Sequence, residues 1–208
     1  MPKSIIVIGA ARSGKTAFVR RIQGKKEFLN VYSETIGLDI VCEGGVTFWD
    51  TGGSNRFQNT IKKYMNRADV IVCCVDLAAE EWESTKKAFP TTPLAHALSA
   101  CSKQRIPMIL VATKMDQLSM NDISKNMNTL KQVFTSYKFL SCHMCSARTG
   151  HGFEGIHKVL CRAERESLLP PPPSSRQDRT WRSILCCLGQ YTKLGDSEER
   201  PHSGLATL

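Results

Sequence analysis

The segment GAARSGKT, residues 9–16, constrains this chain most, because it directly follows a strand-like apolar run, SIIVI. Its glycines, Gly9 and Gly14, enclose four residues and are followed by Lys15 and Thr16. A glycine-rich turn of this spacing points successive backbone N–H groups at a phosphate, and a helix starting near Lys15 adds the positive end of its dipole. A small-residue turn that happens to contain Lys-Thr is the alternative. The position between strand and helix favours a phosphate loop, with Lys15 reaching the β- and γ-phosphates and Thr16 binding Mg²⁺.

Strand-length apolar runs alternate with segments of helical period along most of the chain. Together with one hairpin at EGG, residues 43–45, this alternation predicts an α/β fold. The fold class is a doubly wound, mostly parallel six-stranded sheet with helices on both faces. The predicted strands are Ser4–Ile8, Leu38–Cys42, Val46–Trp49, Val70–Val75, Met108–Ala112 and Phe139–Met144. The predicted helices are Lys15–Gln23, Phe57–Arg67, Glu81–Lys103, Asn121–Tyr137 and Gly152–Ser167.

The character of the chain changes at Pro170–Pro173, where four prolines end any helix and favour an extended spacer. The 208 residues therefore divide into a domain at 1–169 and a tail at 170–208. The tail is polar, basic and aperiodic, and we expect it to be disordered apart from a short apolar segment, Trp181–Leu188.

Composition and charge restrict the partners and the compartment. A net charge of +9 favours phosphate-rich partners, but no basic stripe interleaved with aromatic residues is present, so nucleic acid is not expected. The first apolar run is too short for a signal peptide, and Cys73 and Cys74 lie in a predicted strand. Nine cysteines therefore indicate a reducing, cytosolic setting rather than a disulfide framework. No apolar stretch reaches the roughly 18 residues that a membrane-spanning helix needs.

A second motif, ILVATKMD, places Thr113, Lys114 and Asp116 after a buried-looking strand. A carboxylate at Asp116 accepts two hydrogen bonds from the ring N–H and the exocyclic amine of guanine, whereas adenine offers no such pair. Leaving buried polar groups unpaired costs a factor of about 10⁴ in discrimination. Downstream, CSARTG supplies Ser146 and Ala147, whose backbone amide is placed to meet the guanine carbonyl. Alone, Thr-Lys-x-Asp fits an ordinary loop, but behind a phosphate loop it indicates guanine.

These motifs together resemble the Ras superfamily of small GTPases over about residues 3–167. The residues of the motifs are most similar to those of Rab or Arf-like members. The matching segments are GAARSGKT, YSETIG, WDTGG, TKMD and SAR. The resemblance implies that Thr35 meets Mg²⁺ and the γ-phosphate, that Asp50 meets Mg²⁺ through water, and that the Gly53 N–H meets the γ-phosphate. It implies Mg²⁺ ligation by Thr16, Thr35 and Asp50. It implies a GTP/GDP site of Gly9, Ala10, Ala11, Arg12, Ser13, Gly14, Lys15, Thr16, Ala17, Phe28, Tyr32, Thr35, Asp50, Gly53, Thr113, Lys114, Asp116, Ser146, Ala147 and Arg148.

The catalytic set implied by the resemblance, Lys15, Thr35, Gly53 and Ser54, departs from the family at its last member. The family usually has a water-orienting glutamine where Ser54 stands, so we expect GTP binding with slow GTP hydrolysis. Asn55 or Gln58 could substitute for it. Two alternatives stay open: a GTP-loaded scaffold that does not hydrolyse GTP, and a P-loop ATPase or small-molecule kinase. The short span from Thr35 to Asp50 argues against the register shift of Arf-like proteins.

The tail carries the adjacent pair Cys186 and Cys187, close to Trp181 and to three arginines. The chain ends LATL, which is no prenylation box, and a proline at position 2 excludes N-myristoylation. Two acyl chains plus basic residues would provide stable anchoring, whereas unmodified thiols or a docking peptide are the alternatives. We expect a monomer, peripheral on the cytosolic face of a membrane. The resemblance implies two switch regions, Tyr32–Gly37 and Gly52–Asn59, that meet effectors, exchange factors and activating proteins.

A third motif, Cys142-His143-x-Cys145, has the spacing of half a zinc site. A structural zinc site needs four ligands, and no second pair follows at the required spacing. We therefore interpret these cysteines as packed core thiols.

Overall fold

The computed structural model describes residues 3–29, 31–53, 63–79 and 86–162, and within them strands and helices alternate. The strands are β1 (Lys3–Ile8), β2 (Leu38–Glu43), β3 (Val46–Thr51), β4 (Val70–Asp76), β5 (Met108–Thr113) and β6 (Ser141–Met144). The helices are α1 (Lys15–Ile22), α2 (Pro93–Lys103), α3 (Met120–Val133) and α4 (Phe153–Arg162), with one-turn 3₁₀ helices at Phe89–Thr91 and Met115–Gln117. Residues 63–65 and 86–88 are also helical.

The six strands form one sheet in the order β2-β3-β1-β4-β5-β6. Strands β2 and β3 pair antiparallel around the predicted Gly44-Gly45 hairpin, and every other pairing is parallel. The predicted doubly wound, mostly parallel six-stranded sheet is therefore confirmed. In such sheets the carboxyl ends of the parallel strands meet at one edge, beside the point where the strand order reverses, and ligands bind there.

Alternating side chains of the central strands fill two separate core layers, one on each face of the sheet. Ile6, Ile8 and Ile71 pack on the side of α2 and α3, whereas Ile5 and Val7 pack on the side of α1 and α4. Parallel strands covered on both faces bury nearly all of their side chains, which explains the continuous apolar runs. The predicted cover of helices on both faces is confirmed.

The two cysteines of the third motif belong to different layers. Cys142 is buried in the layer with α2 and α3, and Cys145 is buried in the layer with α1 and α4. Between them, His143 directs its Nε2 to the Ser141 hydroxyl at 3.0 Å. Both thiols are buried, so they are packed core groups as interpreted. Because they lie on opposite faces of the sheet, they cannot bind one metal ion together.

The predicted continuous helix Glu81–Lys103 is wrong. Helical residues 86–88 lead into the 3₁₀ turn at Phe89–Thr91, and α2 begins afresh at Pro93. Thr92 has extended backbone geometry, and its Oγ1 accepts a hydrogen bond from the Ala95 N–H at 3.3 Å, which caps the new helix. Proline lacks an N–H and is tolerated only in the first turn, so Pro93 enforces the break. The segment 80–85 lies outside the described residues.

Strand β3 extends two residues beyond its predicted end, to Thr51. The predicted start of β6 and the predicted end of α3 are also wrong, and aromatic side chains pack at both places. Strand β6 begins at Ser141 rather than Phe139, because Phe139 packs against Phe134 with ring centroids 5.9 Å apart. Helix α3 ends at Val133 rather than Tyr137, since Phe134 turns its ring onto Phe89 at 4.7 Å. Among the residues that the structure describes, no helix has the length and apolar character needed to cross a bilayer.

Candidate functional site

The predicted phosphate loop connects β1 to α1 and depends on both of its glycines. Gly14 has a φ of 81° and stands as N-cap of α1, a backbone geometry that L side chains rarely adopt. A Cβ at Gly9 would collide with the Cys74 carbonyl oxygen on β4. The glycines therefore allow the loop to turn tightly at the carboxyl edge of the sheet.

The Lys15 side chain spans this loop from within. Its Nζ donates to the Ala10 carbonyl at 2.8 Å, and the residue is 5% exposed. Burial lowers the pKa of the Lys15 ammonium, and the nearby Asp50 carboxylate opposes that shift. A partly desolvated ammonium in a ring of backbone groups is suited to hold a phosphate oxygen.

Three oxygen-bearing side chains from α1, β3 and the loop between α1 and β2 meet beside the phosphate loop. The Thr16 hydroxyl lies 2.9 Å from the Thr35 hydroxyl and donates to Asp50 Oδ2 at 2.5 Å. Thr35 Oγ1 is 3.5 Å from the same carboxylate oxygen. The second oxygen, Asp50 Oδ1, is buried without a hydrogen-bond partner, and burial raises the pKa of this carboxyl. Two hydroxyls and a carboxylate with an unsatisfied oxygen form a donor set that fits Mg²⁺.

The segment after β3 packs directly against the phosphate loop. A Cβ at Gly53 would lie 2.5 Å from the Ala11 nitrogen and 2.6 Å from the Ala10 oxygen. One residue earlier, the Gly52 N–H donates to the Gly37 carbonyl at 2.8 Å. The segments around Thr35 and Gly53, which are the two predicted switches, are therefore hydrogen-bonded to each other.

The TKMD motif begins at Thr113, the last residue of β5, and contacts on two sides hold it in place. Lys114, with a left-handed φ of 60°, pairs its Nζ with Asp76 Oδ2 at 2.6 Å. The Thr113 hydroxyl donates to the Ser13 carbonyl at 2.9 Å, and it lies 3.1 Å from the Val75 carbonyl. The loop that carries Asp116 is thereby joined to the phosphate loop.

The SAR motif lies under the same edge. Ser146 is fully buried, and its Oγ accepts a hydrogen bond from the Thr149 N–H at 3.1 Å. The Met115 N–H donates to the Cys145 carbonyl at 3.3 Å, which joins the two base-side loops.

One cavity of about 590 Å³ runs from the phosphate loop to Asp116. Five predicted residues, Gly9, Ala10, Ser13, Asp50 and Ser146, are not part of its lining. Its lining contains these predicted residues: Ala11, Arg12, Gly14, Lys15, Thr16, Ala17, Phe28, Tyr32, Thr35, Gly53, Thr113, Lys114, Asp116, Ala147 and Arg148.

Three features of the site were not predicted from the sequence. Asp76 pairs with Lys114, and the only signal for it is an acidic residue at the end of a strand. The Arg12 guanidinium stacks over the Tyr32 ring, with its central carbon 5.1 Å from the ring centroid. Arg20, Arg21 and Lys25 also line the cavity outside every motif. Ser54, Asn55, Gln58, Cys186 and Cys187 lie outside the described residues.

The fold and the site together define a P-loop nucleotide-binding domain of the doubly wound α/β class. A family model described as "Ras of Complex, Roc, domain of DAPkinase" matches residues 4–116, more than half of the chain. The chain therefore belongs to the Roc/Ras-type small GTPase domains.

Individual relatives agree with this assignment. The chain is 29% identical to Ras-related protein Rab-24 of Dictyostelium discoideum over 182 residues, which cover 80% of this chain and 84% of the relative. It is 30% identical over 120 residues to a Ras and EF-hand domain-containing protein homolog of Caenorhabditis elegans, covering 54% of this chain. The match spans only 18% of that longer relative.

A solved structure also has this fold. The Arl6 BBS3 small GTPase of Trypanosoma brucei, bound to the nucleotide analogue GppNp, superposes with a TM-score of 0.52 at 17% identity. The superposition covers 78% of this chain and 99% of the Arl6 chain.

Proposed function

We propose that this chain is a guanine-nucleotide-dependent molecular switch that binds GTP and GDP together with Mg²⁺. The observation that carries the proposal is the meeting of Thr16, Thr35 and Asp50 oxygens beside a phosphate loop, at one end of a cavity that Asp116 closes at the other. That arrangement supports a ligand with a polyphosphate and Mg²⁺ at one end and a purine at the other.

At the phosphate end, each polar side chain has a separate task. Lys15 leaves the Ala10 carbonyl to neutralise charge on the β- and γ-phosphates. Thr16 and Thr35 would hold a Mg²⁺ ion with their hydroxyls, and the Asp50 carboxylate would act on it through water. When bound, Mg²⁺ neutralises charge on the β- and γ-phosphate oxygens. The mutual hydrogen bonds of these three side chains keep them oriented towards one point.

At the purine end, Asp116 selects guanine by accepting from its ring N–H and exocyclic amine. The Lys114–Asp76 ion pair supports this selection, because it holds the loop in the left-handed turn that precedes Asp116. Ala147 lines the same end of the cavity, where its amide can meet the guanine carbonyl. Phe28 lines it too and supplies an apolar surface.

Switching depends on the γ-phosphate. Thr35 and Gly53 belong to the two segments that a γ-phosphate would order, and its loss on hydrolysis would release them. Because Ser54 replaces the family's glutamine, we infer slow hydrolysis. The same substitution favours a second candidate, a GTP-loaded scaffold without measurable turnover.

The tail supports a location at a membrane. Cys186 and Cys187 offer two sites for S-acylation, and the neighbouring basic residues add electrostatic attraction to an anionic leaflet. We infer peripheral attachment to a cytosolic membrane face, and regulators and effectors that contact the switch segments.

The test is to identify the nucleotide that co-purifies with the chain and to compete a fluorescent GDP with GTP and ATP in the presence of Mg²⁺. GTP should displace the probe at least about 10⁴-fold better than ATP. Asp116→Asn should erase most of that preference, whereas Asp122→Asn, an exposed change at the start of α3, should preserve it. Equal competition by ATP would contradict the proposal and favour the P-loop ATPase alternative.

A further inference from the structure

Arg12 occupies an unusual place within the phosphate loop. Its φ of 60° is left-handed, a conformation that is uncommon for a residue with a side chain. The loop nevertheless places an arginine here, between Ala11 and Ser13. A strained position that carries a large charged side chain points to a role at the site.

The Arg12 side chain crosses from the phosphate loop to the first switch. Its guanidinium stacks on the Tyr32 ring at 5.1 Å, a distance within the range of a cation–π interaction. Arg12, Tyr32 and Lys15 all line the same cavity. The ring therefore holds the guanidinium beside the cavity that Lys15 also lines.

The charge of Arg12 is available to a ligand. Within residues 3–29, 31–53, 63–79 and 86–162, no carboxylate lies within ion-pair distance of this guanidinium. The adjacent Ala11 backbone is in contact with Gly53, the residue immediately before Ser54 in the chain. Arg12 thus follows directly after Ala11, the residue that contacts Gly53, and Gly53 in turn precedes Ser54, which stands where the family usually has glutamine.

We propose that Arg12 is a catalytic residue for GTP hydrolysis, an arginine supplied by the chain's own phosphate loop and positioned by the Tyr32 ring. This inference rests on the proposed function. It assigns to Arg12 the charge neutralisation that other nucleotide hydrolases obtain from an arginine in another segment or in a partner protein. Tyr32 is a positioning residue, because it acts through the guanidinium.

The step is the attack of water on the γ-phosphorus. A bond forms between the water oxygen and phosphorus, and the bond from phosphorus to the β–γ bridging oxygen breaks. The bonding electron pair stays on the β-phosphate of GDP, and the water protons are shared between inorganic phosphate and solvent. Arg12 neutralises the negative charge that develops on the bridging and γ-phosphate oxygens.

The test compares single-turnover GTP hydrolysis by the full chain with that of Arg12→Gln. The variant removes the charge at similar length, and the rate should fall on the order of 100-fold, a conservative value for an arginine in this role. Arg12→Lys keeps the charge but lacks the planar guanidinium, so its hydrolysis rate should lie between those of the parent and of Arg12→Gln. Arg105→Gln is the matched control, because Arg105 also has a left-handed φ of 55° but lies on the exposed turn after α2.

Two further measurements separate this inference from the proposed function. The affinity for fluorescent GDP should fall much less than the hydrolysis rate in Arg12→Gln, because GDP lacks the γ-phosphate whose charge Arg12 neutralises. The tighter binding of GDP in the presence of aluminium fluoride, a mimic of the transferring phosphoryl group, should be lost in the same variant. Tyr32→Phe should retain hydrolysis and Tyr32→Leu should lose most of it, since the ring alone positions the guanidinium.

Three outcomes would overturn the inference. One is an Arg12→Gln hydrolysis rate within twofold of the parent. Another is an equal loss of GDP affinity and of hydrolysis, because that loss would reflect ground-state binding alone. A parent chain that binds GTP without hydrolysing it would also overturn the inference and leave the proposed nucleotide binding intact, whereas failure to bind guanine nucleotides would overturn both.

Discussion

The hydroxyl of Thr113 donates to the Ser13 carbonyl at 2.9 Å, so the last residue of β5 is hydrogen-bonded to the phosphate loop 100 residues earlier. Thr113 is 4% exposed, and Ser13 is 2% exposed. The bond therefore lies inside the protein, where an unpaired carbonyl is costly. It fixes the distance between the end of the cavity that would hold phosphate and the end that would hold the base.

Replacing Thr113 by valine keeps the shape of the side chain and removes this donor. We expect Thr113→Val to lower the free energy of unfolding by about 1–3 kcal/mol, because a buried carbonyl loses its partner. Fluorescent GDP should also dissociate faster, on the order of 10-fold, since the two loops lose their fixed spacing. Urea unfolding and stopped-flow release measure the two effects. Thr47→Val, on β3, is the control, and equal effects of both changes would contradict the role given to Thr113.

Gly53 is expected to tolerate no side chain. A Cβ there would meet the Ala11 nitrogen and the Ala10 oxygen, which are backbone atoms that cannot move cheaply. Gly53→Ala should therefore cost roughly 1–3 kcal/mol of stability and should abolish any difference in thermal stability between the GDP-bound and the GTP-analogue-bound chain.

The matched control for Gly53 is Gly155→Ala in α4. A Cβ at Gly155 would have its nearest neighbour at 3.9 Å, the His143 Nδ1, which is an ordinary contact. Alanine is also a better helix former than glycine, so this variant should be neutral or stabilised by about 0.5–1 kcal/mol. A Gly53→Ala chain as stable as Gly155→Ala would contradict the contact described between Gly53 and Ala11.

Ser54→Gln should accelerate single-turnover hydrolysis of bound GTP. An amide at this position can orient the attacking water, which a short hydroxyl cannot reach, and a rise on the order of 10- to 100-fold is expected. Ser54→Leu has a similar size without the amide and should leave the rate at the parent level. If glutamine has no more effect than leucine, the explanation of slow hydrolysis by Ser54 is wrong.

His143 gives the domain a predictable acid sensitivity. Burial lowers the pKa of its imidazole from 6.5 to about 4, so the folded state favours the neutral ring. The resulting stabilisation is complete above pH 6.5 and is lost as the pH falls from 6.5 through 4, where the unfolded chain binds the proton more readily. As the pH falls over that range, the free energy of unfolding should decrease in both proteins, and the decrease should be about 2 kcal/mol smaller in His143→Gln than in the parent.

Denaturant unfolding at pH 7, 5.5 and 4.5 measures this difference. His157→Gln, which removes an exposed histidine from α4, is the matched control for the loss of an imidazole. Parallel profiles for the parent and His143→Gln would show that the imidazole does not determine the acid sensitivity.

The paired cysteines of the tail predict a membrane fraction that depends on them. Replacing Cys186 and Cys187 by serine should move the full-length chain from the membrane pellet to the supernatant of fractionated cells, because a single weak signal does not hold a protein on a bilayer. The double change of Cys42 and Cys161, the exposed cysteines among the described residues, is the control and should leave the distribution unchanged. Retention of the Cys186/Cys187 variant on membranes would contradict anchoring through these thiols.

Periodicity and spacing predicted the sheet and the motifs well, for physical reasons. Continuous apolar runs arise wherever a parallel strand is covered on both faces, so β1, β4 and β5 were recognisable from sequence alone. The phosphate loop was recognisable because its geometry requires glycine at positions 9 and 14, and both glycines are therefore visible in the sequence at a fixed spacing. Local chemistry at fixed spacing is the kind of information that a sequence displays directly.

Contacts between distant segments could not be predicted in this way. Asp76 is 38 residues from Lys114, and the pair becomes visible only when β4 and β5 lie in register with Asp76 opposite Thr113. Arg12 and Tyr32 meet through loop conformations that no periodic pattern describes. The break before α2 was missed because Pro93 was included in a helical pattern, although it has to occupy the first turn.

The backbone bond from the Gly52 N–H to the Gly37 carbonyl has a mechanical consequence. Because it connects main chain to main chain, substitutions other than proline at position 52 leave both of its partners in place. A shift of the residues around Thr35 therefore has to stretch this bond or move Gly52 as well. A partner that moves one of these two stretches has to move the other with it or break the bond that joins them.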